Sequence, residues 1–160
     1  MILRAERPSD RDMIRAVHLA AFPSPDEANL VDALRRDGDA AVSLVALENG
    51  LVMGHVLFSR MVEPACALGL APVAVLPAFR RRGVGASLIE AGLAQASGQG
   101  WELVFVVGNP AYYRRFGFDT ALARGFTALY AGDHFMARAL VTTAAGGGKA
   151  EYAPAFSGLA

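Results

Sequence analysis

The segment Leu68–Gly108, LGLAPVAVLPAFRRRGVGASLIEAGLAQASGQGWELVFVVG, constrains the fold of this chain more than any other. An apolar run, Leu68 to Val75, passes through Leu76-Pro77 to three consecutive arginines and then to Gly83-Val84-Gly85. From Gly83 to about Ser97 the spacing of Val84, Leu88, Ile89 and Leu93 predicts a helix with one buried side, closing near Gly98-Gln99-Gly100. Trp101 to Gly108 then reads as a strand buried on both faces. Strand, helix and strand in this order form a βαβ crossover, which sets two strands parallel. The rest of the chain reads as antiparallel. An α+β domain with one parallel junction is the expected architecture.

The flanking elements are read from local signals. Ile2–Glu6 is a short strand closed by Pro8. Ser9 is expected to cap a helix with Asp10 and Asp12 in its first turn and Ile14 and Val17 inside. Ser24, Pro25 and Glu27 form a capping-box pattern for a second helix carrying Leu30, Val31 and Leu34, which stops at Asp37-Gly38. Val42–Glu48 and Leu51–Phe58 flank Asn49-Gly50, a strong hairpin signal. A short helix through Ala111–Tyr113 leads to Phe116-Gly117-Phe118, and Phe135–Val141 is a further strand. The tail, residues 143–160, is expected to be loose at its glycines, with room for an edge strand over Lys149–Tyr152. All of 1–160 is read as a single domain.

Fifteen basic residues balance fifteen acidic ones, so nothing pushes the whole chain towards nucleic acid or an anionic membrane. Electrostatic work must be local. One cysteine, Cys66, excludes an intramolecular disulfide and points to a reducing compartment. With charge at the fourth residue and no apolar leader, a cytoplasmic location is expected. No metal is expected.

A loop entering a helix offers unpaired N–H groups and a partial positive charge. Glycine at 83 and 85 lets an anion reach that backbone, and Arg80, Arg81 and Arg82 add fixed cations suited to phosphate oxygens. The Walker loop is excluded, since Gly-Ala-Ser stands where Gly-Lys-Ser/Thr is required. The dinucleotide fingerprint fits poorly, since Leu88 stands where its third glycine belongs.

The pattern Arg80-x-x-Gly83-x-Gly85 after an apolar strand, with Tyr113-Arg114-Arg115-Phe116-Gly117-Phe118 beyond the next strand, resembles the GNAT N-acetyltransferase superfamily. "GLAPVAVLPAF", "GHVLFS" and "NPAYYRRFGF" look most like its bacterial YhbS-like subgroup. That resemblance implies a mixed sheet of six to seven strands, about four helices, and two parallel strands splayed around the pantetheine of acetyl-CoA. It places Arg80, Arg81, Arg82, Gly83, Val84, Gly85 and Ala86 at the pyrophosphate, and Val73, Ala74 and Val75 along the pantetheine and thioester. Pro72 supports an irregular strand there, because it has no N–H for a central ladder. Asn109 and Tyr112 would lie along the cofactor arm, and Tyr113 takes the family's general-acid position, unless its ring only packs there. Asn109 reads equally as a helix cap before Pro110.

The reaction implied is acetyl transfer to a small-molecule or peptide amine. The alternative is a non-catalytic domain of the same fold that holds acyl-CoA as a sensor. For the base, the strand before the loop has no carboxylate, so Glu27, His55, Glu63 or water remain. Acceptor walls are expected at Pro23–Leu34 and Leu122–His134, and a homodimer would fit the family.

Overall fold

The computed structural model describes residues 1–158. Strand β1 (Ile2–Ala5) precedes two helices, α1 (Arg11–Ala21) and α2 (Asp26–Arg36). The hairpin of β2 (Ala40–Glu48) and β3 (Leu51–Arg60) turns at Asn49 and Gly50, both in the left-handed region with φ of 51° and 78°. A two-residue turn of that hand matches the twist of its strands, which is why Asn-Gly marks it. Strand β4 (Ala67–Val75), helix α3 (Val84–Gly98) and strand β5 (Leu103–Val107) make the crossover. Single-turn helices α4 (Pro110–Tyr113) and α5 (Thr120–Ala123), then β6 (Phe126–Thr127), β7 (Phe135–Ala139) and β8 (Gly148–Lys149), complete the order.

Six strands form one sheet in the order β1-β2-β3-β4-β5-β7, and only β4 and β5 within it run parallel. One face is covered by α1 and α2 through Ile14, Val17, Leu30 and Leu34, packed with Leu57, Phe105 and Phe135. The other is covered by α3 through Leu88, Ile89 and Leu93, packed with Val56, Phe58 and Val104. The three layers bury an apolar surface on each side of the sheet, the arrangement the βαβ pattern requires.

Two features of β4 position the site. It pairs with β5 only at Ala67–Leu103, Leu68–Val104 and Gly69–Phe105. Beyond Gly69, β4 stays with β3 as far as Val75, while β5 follows β7 to Val107–Phe135. The parallel strands therefore fork. Against β3, the register steps from Phe58–Leu70 to Val56–Val73, so Ala71 and Pro72 together oppose Leu57. This is the bulge that Pro72 predicts.

Three local expectations need correction. Ser9 does not cap α1; a turn at Pro8–Asp10 precedes the helix, and the Asp10 carboxylate accepts the Arg7 N–H at 2.7 Å and two bonds from Arg4. An ionised carboxylate beside an arginine outcompetes a hydroxyl for that place. At α2, Ser24 Oγ accepts weakly from Asp26 N–H at 3.3 Å, and Pro25 is the cap residue. The helix starts one residue later than a capping box needs, so Glu27 has no reciprocal bond. The tail is seated: Ala150, Tyr152, Ala153 and Phe156 are buried, and Glu151 exchanges backbone bonds with Val62 and Glu63. Of the expected edge strand Lys149–Tyr152, only Lys149 falls in a strand, Gly148–Lys149, which pairs with Phe126–Thr127. The tail's aromatic side chains bury more apolar surface than its glycines cost in order.

Candidate active site

The cradle forms at the start of α3. Gly83 caps the helix with φ of 74°, and nothing lies within 4 Å of where its Cβ would stand, so glycine is required there for backbone conformation. The first helical backbone bond runs from Ser87 N–H to Gly83 O at 2.9 Å, which leaves the N–H groups of Val84, Gly85 and Ala86 at the open end. They border a cavity of about 400 Å³ walled by Val75, Arg80, Arg81, Tyr112 and Arg115. The Val84 side chain points instead into the core.

The three arginines diverge. Arg80 lines the cavity while donating to Ala21 O at 3.2 Å, the C-terminal end of α1. Arg81 holds a left-handed φ of 65° in the loop and lines the cavity as well. Arg82 turns away, 3.7 Å from Glu48 and over the Phe79 ring. Its place in the group of cations is taken by Arg115, which sits over the Tyr112 ring at 4.6 Å and donates to Tyr112 O. Sequence reasoning missed Arg115 as a residue of this cavity. Its one signal was an arginine three residues after Tyr112, the spacing that stacks a guanidinium back over a helical turn.

At the fork, the hydrogen-bond alternation of an antiparallel pair assigns each peptide group. Leu76 N–H donates to Met53 O at 2.8 Å, and the register continues through Val75–Gly54, Ala74–His55 and Val73–Val56. Every second residue bonds across, so Leu76 and Ala74 face β3, while Val73 and Val75 turn N–H and C=O towards the gap left by β5. Ala74 thus contributes its side chain to the core and its backbone to the β3 ladder.

Tyr113 ends α4 with its ring on the backbone of Gly108; a Cβ there would clash with Tyr113 Cε2. Phe118 and Phe116 pack around it. Burial, then the neighbouring Tyr112, pushes the Tyr113 phenol up to about 12. Arg115 does not offset this, because it lies over the Tyr112 and Phe116 rings. Tyr112 is also raised by burial, only partly offset by Arg115. Asn109 acts as the cap, its Oδ1 accepting from Ala111 N–H at 3.0 Å, so the side-chain NH2 is the part free to meet a ligand.

His55, Glu27 and Glu63 line neither the cradle nor the fork cavity. His55 is fully buried in a polar chain whose polarity can be followed. Glu6 is ionised and accepts the Ser43 hydroxyl proton in a short hydrogen bond. Ser43 Oγ then accepts from His55 Nε2–H at 2.8 Å, which leaves His55 Nδ1 to accept His18 Nε2–H at 2.8 Å. His18 Nδ1 ends the chain, buried and unpartnered. Arg35 closes the other end on Glu6 at 2.6 Å. Cys66 is free and half-buried at the entry to β4.

This network carries a pH prediction. Burial, then the charges of His55 and Arg35, lowers His18 from 6.5 to about 3. Burial raises Glu6, but bonds from His55, Arg35 and Ser43 outweigh it and hold Glu6 at about 2. Between pH 6.5 and 3 the unfolded chain binds a proton at His18 that the folded protein refuses. The associated stability is complete above the unfolded value and falls with pH, by up to about 1.4 kcal/mol per unit. Glu6 adds loss of the same sign between 4.5 and about 2. The melting temperature is expected to fall steadily from pH 7 to pH 4, and His18→Gln to flatten that slope; parallel slopes would contradict it.

The site thus joins a forked parallel pair to a helix N-terminus bordered by arginines. The model of the Acetyltransferase (GNAT) family matches residues 11–118, and the chain belongs to that family. It is 39% identical to the uncharacterized N-acetyltransferase YjhQ of Escherichia coli (strain K12) over 131 residues, covering 76% of this chain and 72% of that protein. It is 38% identical over 125 residues to the uncharacterized N-acetyltransferase YhbS of the same organism, covering 76% and 75%. Among solved structures, Escherichia coli YhbS in complex with CoA superposes with a TM-score of 0.91 at 32% identity, covering 99% of this chain and 93% of that one. A GNAT acetyltransferase from Brucella melitensis in complex with acetyl-CoA gives 0.83 at 36% identity, covering 97% of each.

Proposed function

We propose that the protein transfers the acetyl group of acetyl-CoA directly to a primary amine. The observation that carries this reading is the continuity of fork and cradle at Val75, which turns its peptide groups into the gap and its side chain towards the anion cavity. A pantetheine arm lying along β4 would replace the missing β5 ladder at Val73 and Val75. Its diphosphate would meet the N–H groups of Val84, Gly85 and Ala86 within reach of Arg80, Arg81 and Arg115. The Val75 N–H is the donor suited to the oxyanion that develops on the thioester carbonyl.

Tyr113 acts by hydrogen bonding more than by proton transfer. Moving a proton from a phenol at about 12 to a thiolate near 8.5 is uphill by about 5 kcal/mol. The amine's proton leaves to water, since Glu27, His55 and Glu63 stand off the fork. The free Cys66 fits a reducing cytoplasmic location.

The test is calorimetric titration with acetyl-CoA, ATP and NAD, followed by CoA-release assays against a range of amines. Binding of acetyl-CoA alone, with amine-dependent release, is expected. Binding without release for any amine would indicate an acyl-CoA sensor, and no binding would overturn the reading.

A further inference from the structure

Between the fork and the C-terminal tail lie two cavities that share Tyr130, Tyr152 and Phe156. The smaller, of about 170 Å³, is floored by Leu70 and Ala71 of β4 and Val107 of β5, the strand ends that part. The larger, of about 480 Å³, continues outward between Thr127–Tyr130 and Lys149–Ser157. Tyr152 stands at the junction. Its ring lies on Gly69, the last residue of β4 paired to β5, so closely that a Cβ there would be 2.5 Å from Tyr152 Cε1. Tyr130 and Phe156 meet it at 5.4 Å and 4.9 Å between ring centres. Its hydroxyl is buried and has no partner.

We infer that this chamber is the acceptor site, and that it takes a primary monoamine carried on an apolar, ring-sized body. The inference rests on the transferase reading and narrows it. Charge decides the class. Among the described residues, the only charged side chains lining the chamber are Lys149 and Glu151, and they bind each other at 2.7 Å. A polyamine or aminoglycoside would bring a second ammonium with no unpaired carboxylate among the described lining residues to receive it, and an amino acid would bring a carboxylate with no unpaired cation there. Both would lose hydration without replacement. An alkyl or aryl body suits the aromatic wall and the lip, where Leu129 is 89% exposed. In the reaction the amine nitrogen bonds the acetyl carbon, the C–S bond breaks with its electron pair on sulfur, and the amine's proton balances the thiolate. The products are an N-substituted acetamide and CoA.

The test measures acetylation of phenethylamine, tyramine and hexylamine against spermidine and kanamycin, in wild type and in Leu129→Asp. A kcat/KM at least about tenfold higher for the apolar amines is expected, the scale of one apolar group placed in a pocket. Leu129→Asp should raise the KM for phenethylamine and leave that for acetyl-CoA unchanged. Preference for spermidine or kanamycin would overturn the assignment. So would a variant that changes the preference between acetyl-CoA and butyryl-CoA without moving any amine KM, because the chamber would then hold the acyl chain. Calorimetric titration of phenethylamine into the CoA complex separates the two readings. Binding without transfer supports the chamber and sinks the transferase; transfer to polar amines alone does the opposite.

Discussion

Replacing Gly85 with valine is expected to lower the affinity for acetyl-CoA by at least about a hundredfold while the protein stays folded. A Cβ at Gly85 would make only ordinary contacts, 3.5 Å from Tyr112 Oη and 3.6 Å from Val75 Cγ2. Alanine should therefore be tolerated. The two further methyl groups of valine have to occupy the space in front of the α3 amides, where the diphosphate belongs. Losing two charge-assisted hydrogen bonds at about 1.5 kcal/mol or more each gives the stated factor. Helix propensity does not obscure the result, because valine is a better helix residue than glycine. Calorimetry beside a melting curve checks it, and unchanged affinity in a folded Gly85→Val protein would remove the cradle. Gly83→Val is a different experiment. It fills no occupied space, but forces a β-branched residue to φ of 74°, and so acts through backbone strain.

Tyr113→Phe is expected to lower kcat by about tenfold to a hundredfold, as loss of a single transition-state hydrogen bond does, while the KM for acetyl-CoA changes little. The ring keeps its seat on Gly108 and its contacts with Phe116 and Phe118, so only the hydroxyl is lost. Since the phenol is held at about 12, it stays protonated across the working range. The wild-type rate should rise with pH as the amine loses its proton, with no alkaline fall from Tyr113 below about pH 11. Gly108→Ala offers a second route to the same group, because its Cβ would displace the Tyr113 ring. An unchanged kcat in Tyr113→Phe would take the hydroxyl out of the chemistry.

What was legible in the sequence follows the range of the forces involved. Pro72 lacks an N–H wherever it stands, so the bulge could be read from one residue. Gly83 and Gly85 mark an open helix N-terminus through local backbone geometry alone. Asn49-Gly50 sets its turn in the same way. The failures are contacts between distant segments. Arg82 is drawn from the cradle to Glu48 of β2, and Arg115 reaches it from beyond β5, so each place depends on a segment distant in sequence. Tyr152 reads from the sequence as the end of a possible edge strand in a loose tail, because its place on Gly69 depends on the whole sheet being formed first. His18 and His55 lie on α1 and β3, and their shared proton chain appears only once the helix docks. Glu27 misled for a smaller reason, a shift of one residue in where α2 begins.

The most direct measurement is residue-resolved amide hydrogen exchange with and without CoA. Exchange at Val73, Val75, Gly85 and Ala86 is expected to be fast in the free protein and strongly slowed in the complex, with Ala74 protected in both. Slow exchange at those four amides before CoA is added, or no slowing on saturation, would contradict a ligand held by the main chain of β4 and α3.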